Sequence, residues 1–171
     1  LHYLGNVIGH EGEGSLLALL RMLGWANALS AGGGFAYQDA ATFTVNIALT
    51  EEGQDHIDEI AALLFQFIDL VRQQGVHEWL FEEQRLMAEL SLRFQSDADP
   101  RSTVSSLSSR LQDYPAAEVL TAPYTFSHFD AELIHELLSY LTTENVLLTY
   151  TAKGVLTDQQ DAWYQNPYRY S

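Results

Sequence analysis

The clearest pattern of hydrophobic and polar positions in the chain is a strict alternation over residues 42–49. Every second residue there is large and apolar, and the residues between are polar or small. Successive side chains of a strand point to opposite faces, so this alternation predicts a β-strand with one buried face. Shorter apolar stretches predict further strands over residues 3–8, 25–31 and 146–151.

Apolar positions at steps of three and four predict helices elsewhere. The longest is expected to follow Thr50 as N-cap, with acidic residues in its first turn, and to end before Gly75 near residue 74. Ser15 is expected to cap a short helix over residues 16–23, closed by Gly24. Further helices are predicted over residues 76–94, 102–109, 116–121 and 130–141.

This order of elements predicts an α+β fold with a mostly antiparallel sheet and helices packed on one face. Three consecutive glycines, Gly32 to Gly34, are expected to break the second strand and to form a flexible or bulged connection. We expect residues 1–153 to form a single domain. Residues 154–171 are aromatic but aperiodic, and are predicted to be an extended C-terminal linker segment.

Composition and charge narrow the classes of partner. The 171 residues are 47% hydrophobic and 18% charged, with a formal net charge of −15, so the chain should fold and should repel polyanions. We therefore expect neither nucleic acid nor a membrane as a partner, and expect cationic peptides to be attracted. The chain contains no cysteine, which excludes disulfides and thiolate chemistry. It begins at Leu1 rather than at a methionine, and we therefore interpret the chain as a piece of a longer protein.

Motifs for catalysis are incomplete. His56 and Glu59 offer H-x-x-E, but Ile60 stands where a second histidine is needed, and no H-E-x-x-H occurs. A Walker loop and a G-x-S-x-G elbow are also missing from the sequence. No catalytic residue and no metal ligand is therefore predicted in this chain.

Two features favour peptide binding, and each has a simpler alternative. The strand ending at residues 28–31 could offer a free edge to another extended chain, or it could be a hairpin strand with no ligand. Glu11 and Glu13 lie in a glycine-rich loop, residues 9–14. They could hold a peptide's α-amino group, or they could be solvated loop acids.

Several motifs together resemble one known family. They are Tyr3-Leu4-Gly5, Gly9-His10-Glu11-Gly12, Gly14-Ser15-Leu16-Leu17, Gly24-Trp25-x-Asn27, Leu49-Thr50-Glu51-Glu52-Gly53, Glu78-Trp79, Tyr114-Pro115, Glu118-Val119-Leu120-Thr121-Ala122, Glu144-Asn145-Val146 and Trp163-Tyr164. In this order the chain resembles the second domain of the insulinase/pitrilysin family of zinc metallopeptidases, and within it the insulin-degrading members.

The resemblance implies a large peptidase of four related α+β domains, with zinc held by H-x-x-E-H and a later glutamate in a first domain upstream of Leu1. This chain would then hold no cofactor and would be inactive alone. It would anchor the N-terminal part of a peptide on a strand edge, and it would contact other domains of the same polypeptide. The implied substrate-binding residues are Gly9, Glu11, Leu29, Ala31 and Gly33.

The chain departs from the family pattern at Asn6, where a histidine is usual, and at Ala31, where glycine is usual. Both departures bear on substrate preference. Some members keep the fold but have lost the metal site, so a structural or interaction role is the alternative. The compartment stays open between periplasmic, as in bacterial pitrilysins, and cytosolic.

Overall fold

Six α-helices and two antiparallel strand pairs occur in the part of the chain that the computed structural model describes, residues 1–37, 40–96 and 99–170. The helices are α1 (His2–Ile8), α2 (Leu16–Met22), α3 (Ile57–Gln74), α4 (Glu78–Arg93), α5 (Pro100–Arg110) and α6 (Ala131–Ser139). The strands are β1 (Ala26–Ala36), β2 (Ala41–Leu49), β3 (Gln159–Gln160) and β4 (Pro167–Tyr168). Short 3₁₀ turns span Glu52–His56, Ala122–Tyr124 and Thr143–Asn145.

The main sheet is the antiparallel pair of β1 and β2, with Leu29 opposite Ile47 and Ala31 opposite Val45. Ala26 and Leu29 of β1 are buried against the helices, and Ala31 of β1 packs there with the odd-numbered residues Phe43, Val45, Ile47 and Leu49 of β2. The even-numbered residues from Ala28 and Thr42 onward are small, and most of them are exposed. This arrangement confirms the predicted α+β fold with antiparallel strands and helices on one face.

Two clusters of buried side chains hold the helices on that face. One cluster joins α1, α3 and α6 and consists of Tyr3, Leu4, Ile8, Ile68, Val71, Ile134 and Leu138. The other joins α2, α3 and β1 and consists of Leu16, Leu17, Leu20, Ala26, Leu29 and Ile60. Ala31, Val45, Leu64 and Phe67 pack against both clusters, so α3 and the centre of the sheet form one continuous interior.

Two helices begin at the predicted caps, and the third predicted cap begins a 3₁₀ turn. The Ser15 hydroxyl accepts from the Ala18 N–H at 3.1 Å, and the Asp130 carboxylate accepts from the Leu133 N–H at 2.9 Å. Thr50 accepts from the Gly53 N–H at 2.9 Å, but the turn that it caps is 3₁₀, and α3 begins only at Ile57. The segments predicted as helices over residues 76–94 and 102–109 form α4 and α5.

The first predicted strand, over residues 3–8, is wrong, because these residues form α1. A short apolar run does not distinguish a strand from a buried helical turn. In the structure Tyr3, Leu4 and Ile8 lie on one helical face and enter the first cluster. The Tyr3 hydroxyl also accepts from the His77 N–H at 2.9 Å, which ties α1 to the start of α4.

The predicted break of the strand at the three glycines is also wrong, but the bulge given as an alternative has a counterpart, because the register with β2 shifts between Gly33 and Ala36. β1 runs through them to Ala36, with Gly32 opposite Thr44 and Gly33 opposite Phe43. A Cβ atom added to Gly34 would lie 2.4 Å from the Thr42 Oγ1 atom, so β2 fills the space that a side chain would need. Tertiary pairing therefore overrides the local flexibility of glycine.

The C-terminal third departs from its predicted pattern in two further places. Residues 116–121 form successive turns closed by i to i+3 hydrogen bonds, and the predicted helix there is wrong. Residues 146–151 have no strand partner in the described residues. Within the predicted linker, β3 and β4 pair as a small hairpin; its last residue, Ser171, lies outside the described residues.

Candidate functional site

Helix α1 lies directly against the backbone of β1. A Cβ atom added to Gly5 would lie 2.9 Å from the Ala31 carbonyl oxygen and 3.0 Å from the Gly32 Cα atom. One added to Gly9 would lie 3.2 Å from the Ala31 nitrogen. Gly5 and Gly9 are four residues apart and so share a helical face, and only glycine permits this approach. The contact fixes where the glycine-rich loop lies beside β1.

The outer edge of β1 is open in the part of the chain that the structure describes. The sheet contains β1 and β2 alone, and residues 28–34 make no main-chain hydrogen bond to any other described element. These residues carry no charged side chain and no proline, the usual protections of an exposed edge. The outer edge of β2 is also without a described main-chain partner.

An ion pair marks the start of the β1 edge. The Arg21 Nη2 atom lies 3.2 Å from the Glu11 carboxylate, and both side chains are about half exposed. The same guanidinium donates to the Asn27 carbonyl oxygen from Nη2 at 3.0 Å and from Nε at 3.2 Å. Asn27 is the extra residue between the register pairs of Ala26 and Ala28, which is the pattern of a β-bulge. Glu11 is thus connected to β1 through Arg21.

The glycine-rich loop that carries Glu11 is closed by its own histidine. The His10 Nδ1 atom accepts from the Gly12 N–H at 3.0 Å. A Cβ atom at Gly12 would lie 2.5 Å from the His10 ring, so a side chain there would displace the ring from this position. Glu13 lines a groove between α2 and α3 with Met22 and Leu70. The two loop acids therefore face different surroundings, and Glu11 alone is joined to β1.

The structure brings together most of the implied binding residues. Gly9 contacts Ala31, and Gly33 lies against the Leu1 side chain at the N-terminal end of α1. Leu29 is 4% exposed, so its side chain belongs to the core and only its backbone can serve a ligand. Glu11 is joined to this group through Arg21 rather than by direct contact.

Sequence reasoning missed Gly5 and Arg21. The Gly5–Gly9 spacing of four residues was a usable signal once residues 2–8 were read as a helix. Arg21 stands in the last turn of α2, where a basic side chain is ordinary, and its role depends on a bulge that the sequence does not show.

Comparison with known proteins decides the family. The model described as "Peptidase M16 inactive domain" matches residues 1–87, and that described as "Middle or third domain of peptidase_M16" matches residues 92–171. The chain belongs to peptidase family M16. The resemblance drawn from the sequence motifs is therefore confirmed.

Individual relatives agree with the M16 assignment. Insulin-degrading enzyme of Homo sapiens is 38% identical over 170 residues, which cover 98% of this chain and 17% of that protein. Insulin-degrading enzyme-like 1, peroxisomal, of Arabidopsis thaliana is 36% identical over 168 residues, which cover 97% of this chain and 17% of that protein. The chain thus spans about a sixth of the length of these relatives.

A solved structure confirms the fold. The crystal structure of pitrilysin superposes with a TM-score of 0.93 at 21% identity, covering 98% of this chain and 18% of that chain. At this identity the match establishes the fold alone.

The described residues of this M16 chain do not fit a zinc site. No group of three or more histidine, aspartate or glutamate side chains that could hold a metal ion occurs among them. The incomplete H-x-x-E motif, His56 and Glu59, brings only two such side chains together. There the His56 Nδ1 atom is 3.3 Å from the Glu59 carboxylate, and the His56 ring stacks on Trp25 at 4.3 Å. A backbone hydrogen bond, and then the bond with His56, lower the pKa of Glu59. Zinc held elsewhere in the polypeptide stays a prediction.

A helix with the length and apolar character of a membrane span is not found over residues 1–37, 40–96 and 99–170.

Proposed function

We propose that this M16 chain is the substrate-holding, non-catalytic part of a longer zinc-dependent metalloendopeptidase. In this role it anchors the N-terminal part of a peptide by adding it as a strand to the outer edge of β1. Zinc and the bond-breaking chemistry belong to another part of the polypeptide. The chain itself holds and orients the substrate.

The open edge of β1 is the observation that carries the proposal. On the side away from β2, residues 28–34 make no main-chain hydrogen bond to the other described residues, and their side chains are small except for the buried Leu29. A peptide backbone can therefore approach closely and form a ladder of main-chain hydrogen bonds. Such bonds do not depend on side chains, which suits a peptidase that accepts varied sequences.

Charge supports the same role. The net charge of −15 attracts cationic peptides at long range, and Glu11 places a carboxylate beside the start of the edge. Binding at a distance from the scissile bond lowers the entropic cost of positioning that bond. The chain would thus assist cleavage without contacting the reacting atoms.

Peptides with N-methylated amides test strand addition. In a β-ladder only alternate residues of a strand bond to one neighbour, so methylating one alternating set of N–H groups should weaken binding. We expect at least about a tenfold loss for that set, on the order of 1.4 kcal/mol, and little change for the set shifted by one residue. The measurement is peptide affinity for the chain by fluorescence polarisation.

Nuclear magnetic resonance locates the edge in the same titration. We expect amide shifts in residues 28–34 of β1 and not in β2. Equal affinity for both methylated sets, or shifts confined to β2, would contradict the proposal.

A further inference from the structure

An apolar segment near the C-terminal end lacks the partner that its sequence demands. In an extended conformation residues 146–151 would place Val146, Leu148 and Tyr150 on one side and Leu147, Thr149 and Thr151 on the other. Val146 has extended backbone angles, φ −127° and ψ 141°. Nevertheless no residue from 146 to 151 makes a main-chain hydrogen bond within the described part of the chain.

This segment is more exposed to solvent than is usual for apolar residues. Val146, Leu147 and Leu148 are 52%, 84% and 55% exposed, three consecutive aliphatic residues in water. An extended apolar run with free N–H and C=O groups is a template for strand pairing, and proteins cover or charge such runs. Residues 146–151 carry no charge and no proline.

The segment is nevertheless held in place at both ends. At its start the Asn145 side-chain amide donates to the Tyr140 carbonyl oxygen at 2.9 Å, just after α6. At its end the Tyr150 hydroxyl donates to the Gln54 side-chain oxygen at 3.0 Å, in the turn that follows β2. Val146 to Thr149 lie between these anchors with all four residues exposed.

We propose that residues 146–151 form a strand that pairs with an extended segment of the same polypeptide from outside residues 1–171. In the described residues β1 and β2 pair only with each other, so no strand there forms a ladder with this segment. The M16 relatives are about six times as long, and a segment tethered to the same polypeptide pairs at a high effective concentration. A sheet of two strands is also marginal, whereas three or more strands are stable.

Hydrogen exchange compares the segment in two contexts: the 171-residue chain and the longer polypeptide that carries it. We expect all the amides of residues 147–150 to exchange at the rate of an unfolded peptide in the chain. In the longer polypeptide we expect one alternating pair of them, 147 and 149 or 148 and 150, to exchange at least about 100-fold more slowly. Equally fast exchange in both would overturn the inference. Protection in the chain alone that rises with protein concentration would assign the edge to a second copy and would also overturn it.

A proline variant with a matched control gives an independent readout. Leu147→Pro removes an amide from the proposed ladder, and Leu156→Pro places the same change at another exposed residue, 80% exposed and outside the segment. In the longer polypeptide we expect Leu147→Pro to lower the Tm by at least about 2 °C and Leu156→Pro to leave it unchanged. In the 171-residue chain neither variant should change the Tm. An equal effect of Leu147→Pro in both contexts would contradict pairing with an outside strand.

The inference shares with the proposed function only that the chain is part of a longer polypeptide. Peptide binding at β1 is measured on the chain itself, so failure of one experiment leaves the other interpretable.

Discussion

Glycines decide how closely α1 and β1 approach. Gly5 and Gly9 place the helix backbone against that of Ala31, a contact between two pieces of main chain that cannot move aside as a flexible side chain would. Gly32, by contrast, has nothing within 4 Å of the position that its Cβ atom would occupy. Gly5 and Gly32 thus lie next to each other in space, but a Cβ atom has no room at Gly5 and open space at Gly32.

Substituting these glycines separates packing from flexibility. Gly5→Ala should destabilise the chain by about 1–3 kcal/mol, because the new methyl group meets backbone atoms that must shift. Gly32→Ala should leave stability unchanged or raise it by up to about 1 kcal/mol, because alanine costs less backbone entropy in a strand. Urea unfolding of both variants measures the difference, and equal stability of the two would refute the close packing of α1 on β1.

Glu11 should distinguish peptides by their N-terminus. Glu11→Gln removes the carboxylate beside the β1 edge, so binding of a peptide with a free α-amino group should weaken about twofold to fivefold, as for exposed ion pairs. The acetylated form of the same peptide should bind unchanged. Glu13→Gln is the matched control, because it removes the same charge from the groove between α2 and α3. Titrations with both peptides decide the matter, and equal losses for them would exclude Glu11 as the α-amino contact.

At the scale of the element, the local sequence pattern was enough to predict an element where its periodicity and its caps lie within the element itself. β2 alternates strictly, α3 has an amphipathic stripe, and α2 and α6 have side-chain caps within three residues. Each was predictable because the partners lie within a few positions. The helix α1 and the glycine stretch of β1 were not predictable in this way. α1 packs on β1, and the glycine stretch pairs with β2, so each depends on a contact with residues outside its own segment.

The hairpin of β3 and β4 contains a loop organised by one carboxylate. The Asp161 Oδ1 atom accepts from the N–H groups of Trp163 at 3.0 Å and Tyr164 at 2.8 Å, and Oδ2 accepts from that of Asn166 at 2.7 Å. These backbone hydrogen bonds lower the pKa of Asp161 below its ordinary value of 3.8. Trp163 is 91% exposed, so the order of this loop comes from the carboxylate rather than from burial.

This loop should therefore depend on pH in a defined direction. A carboxyl whose pKa is lowered in the folded state contributes its full stabilisation above the ordinary, unfolded pKa, and loses it as the pH falls through the lower folded pKa. We expect the amide shifts of Trp163 and Asn166 to stay constant from pH 7 to about pH 4 and to change only in stronger acid.

Variants of the two nearby aspartates test the assignment. Asp161→Asn should abolish the acid transition in those amide shifts, because it removes the titrating group. Asp158→Asn should retain it, since no hydrogen bond to that carboxylate occurs in the described residues. A transition that persists in Asp161→Asn would rule out this carboxylate as the cause.

At the scale of the whole molecule, the chain combines a strong negative charge with exposed apolar residues. It is strongly acidic, it matches about a sixth of its M16 relatives, and apolar residues such as Leu147 are exposed. Its one-domain boundary at residue 153, its compartment and its place beside other domains stay predictions. The strand proposed for residues 146–151 would reduce its exposed apolar surface.

The chain alone should not cleave peptides. Incubated with zinc and an unstructured peptide, it should yield no product that a chelator suppresses, and zinc should leave its Tm unchanged. The physical reason is that the described residues offer no group of three metal-binding side chains. Mass spectrometry of the peptide and thermal unfolding with and without chelator check both points, and chelator-sensitive cleavage would refute the non-catalytic role.

The sequence by itself determined the α+β class, the capped helices and the M16 resemblance, because periodicity, caps and motifs are written in neighbouring residues. It also singled out the region of Gly9, Glu11 and Ala31. Only the tertiary structure decided that α1 is a helix, that β1 continues through its glycines and that Arg21 joins Glu11 to the Asn27 bulge. Each of these depends on space and hydrogen-bond partners supplied by another element, which local sequence does not encode.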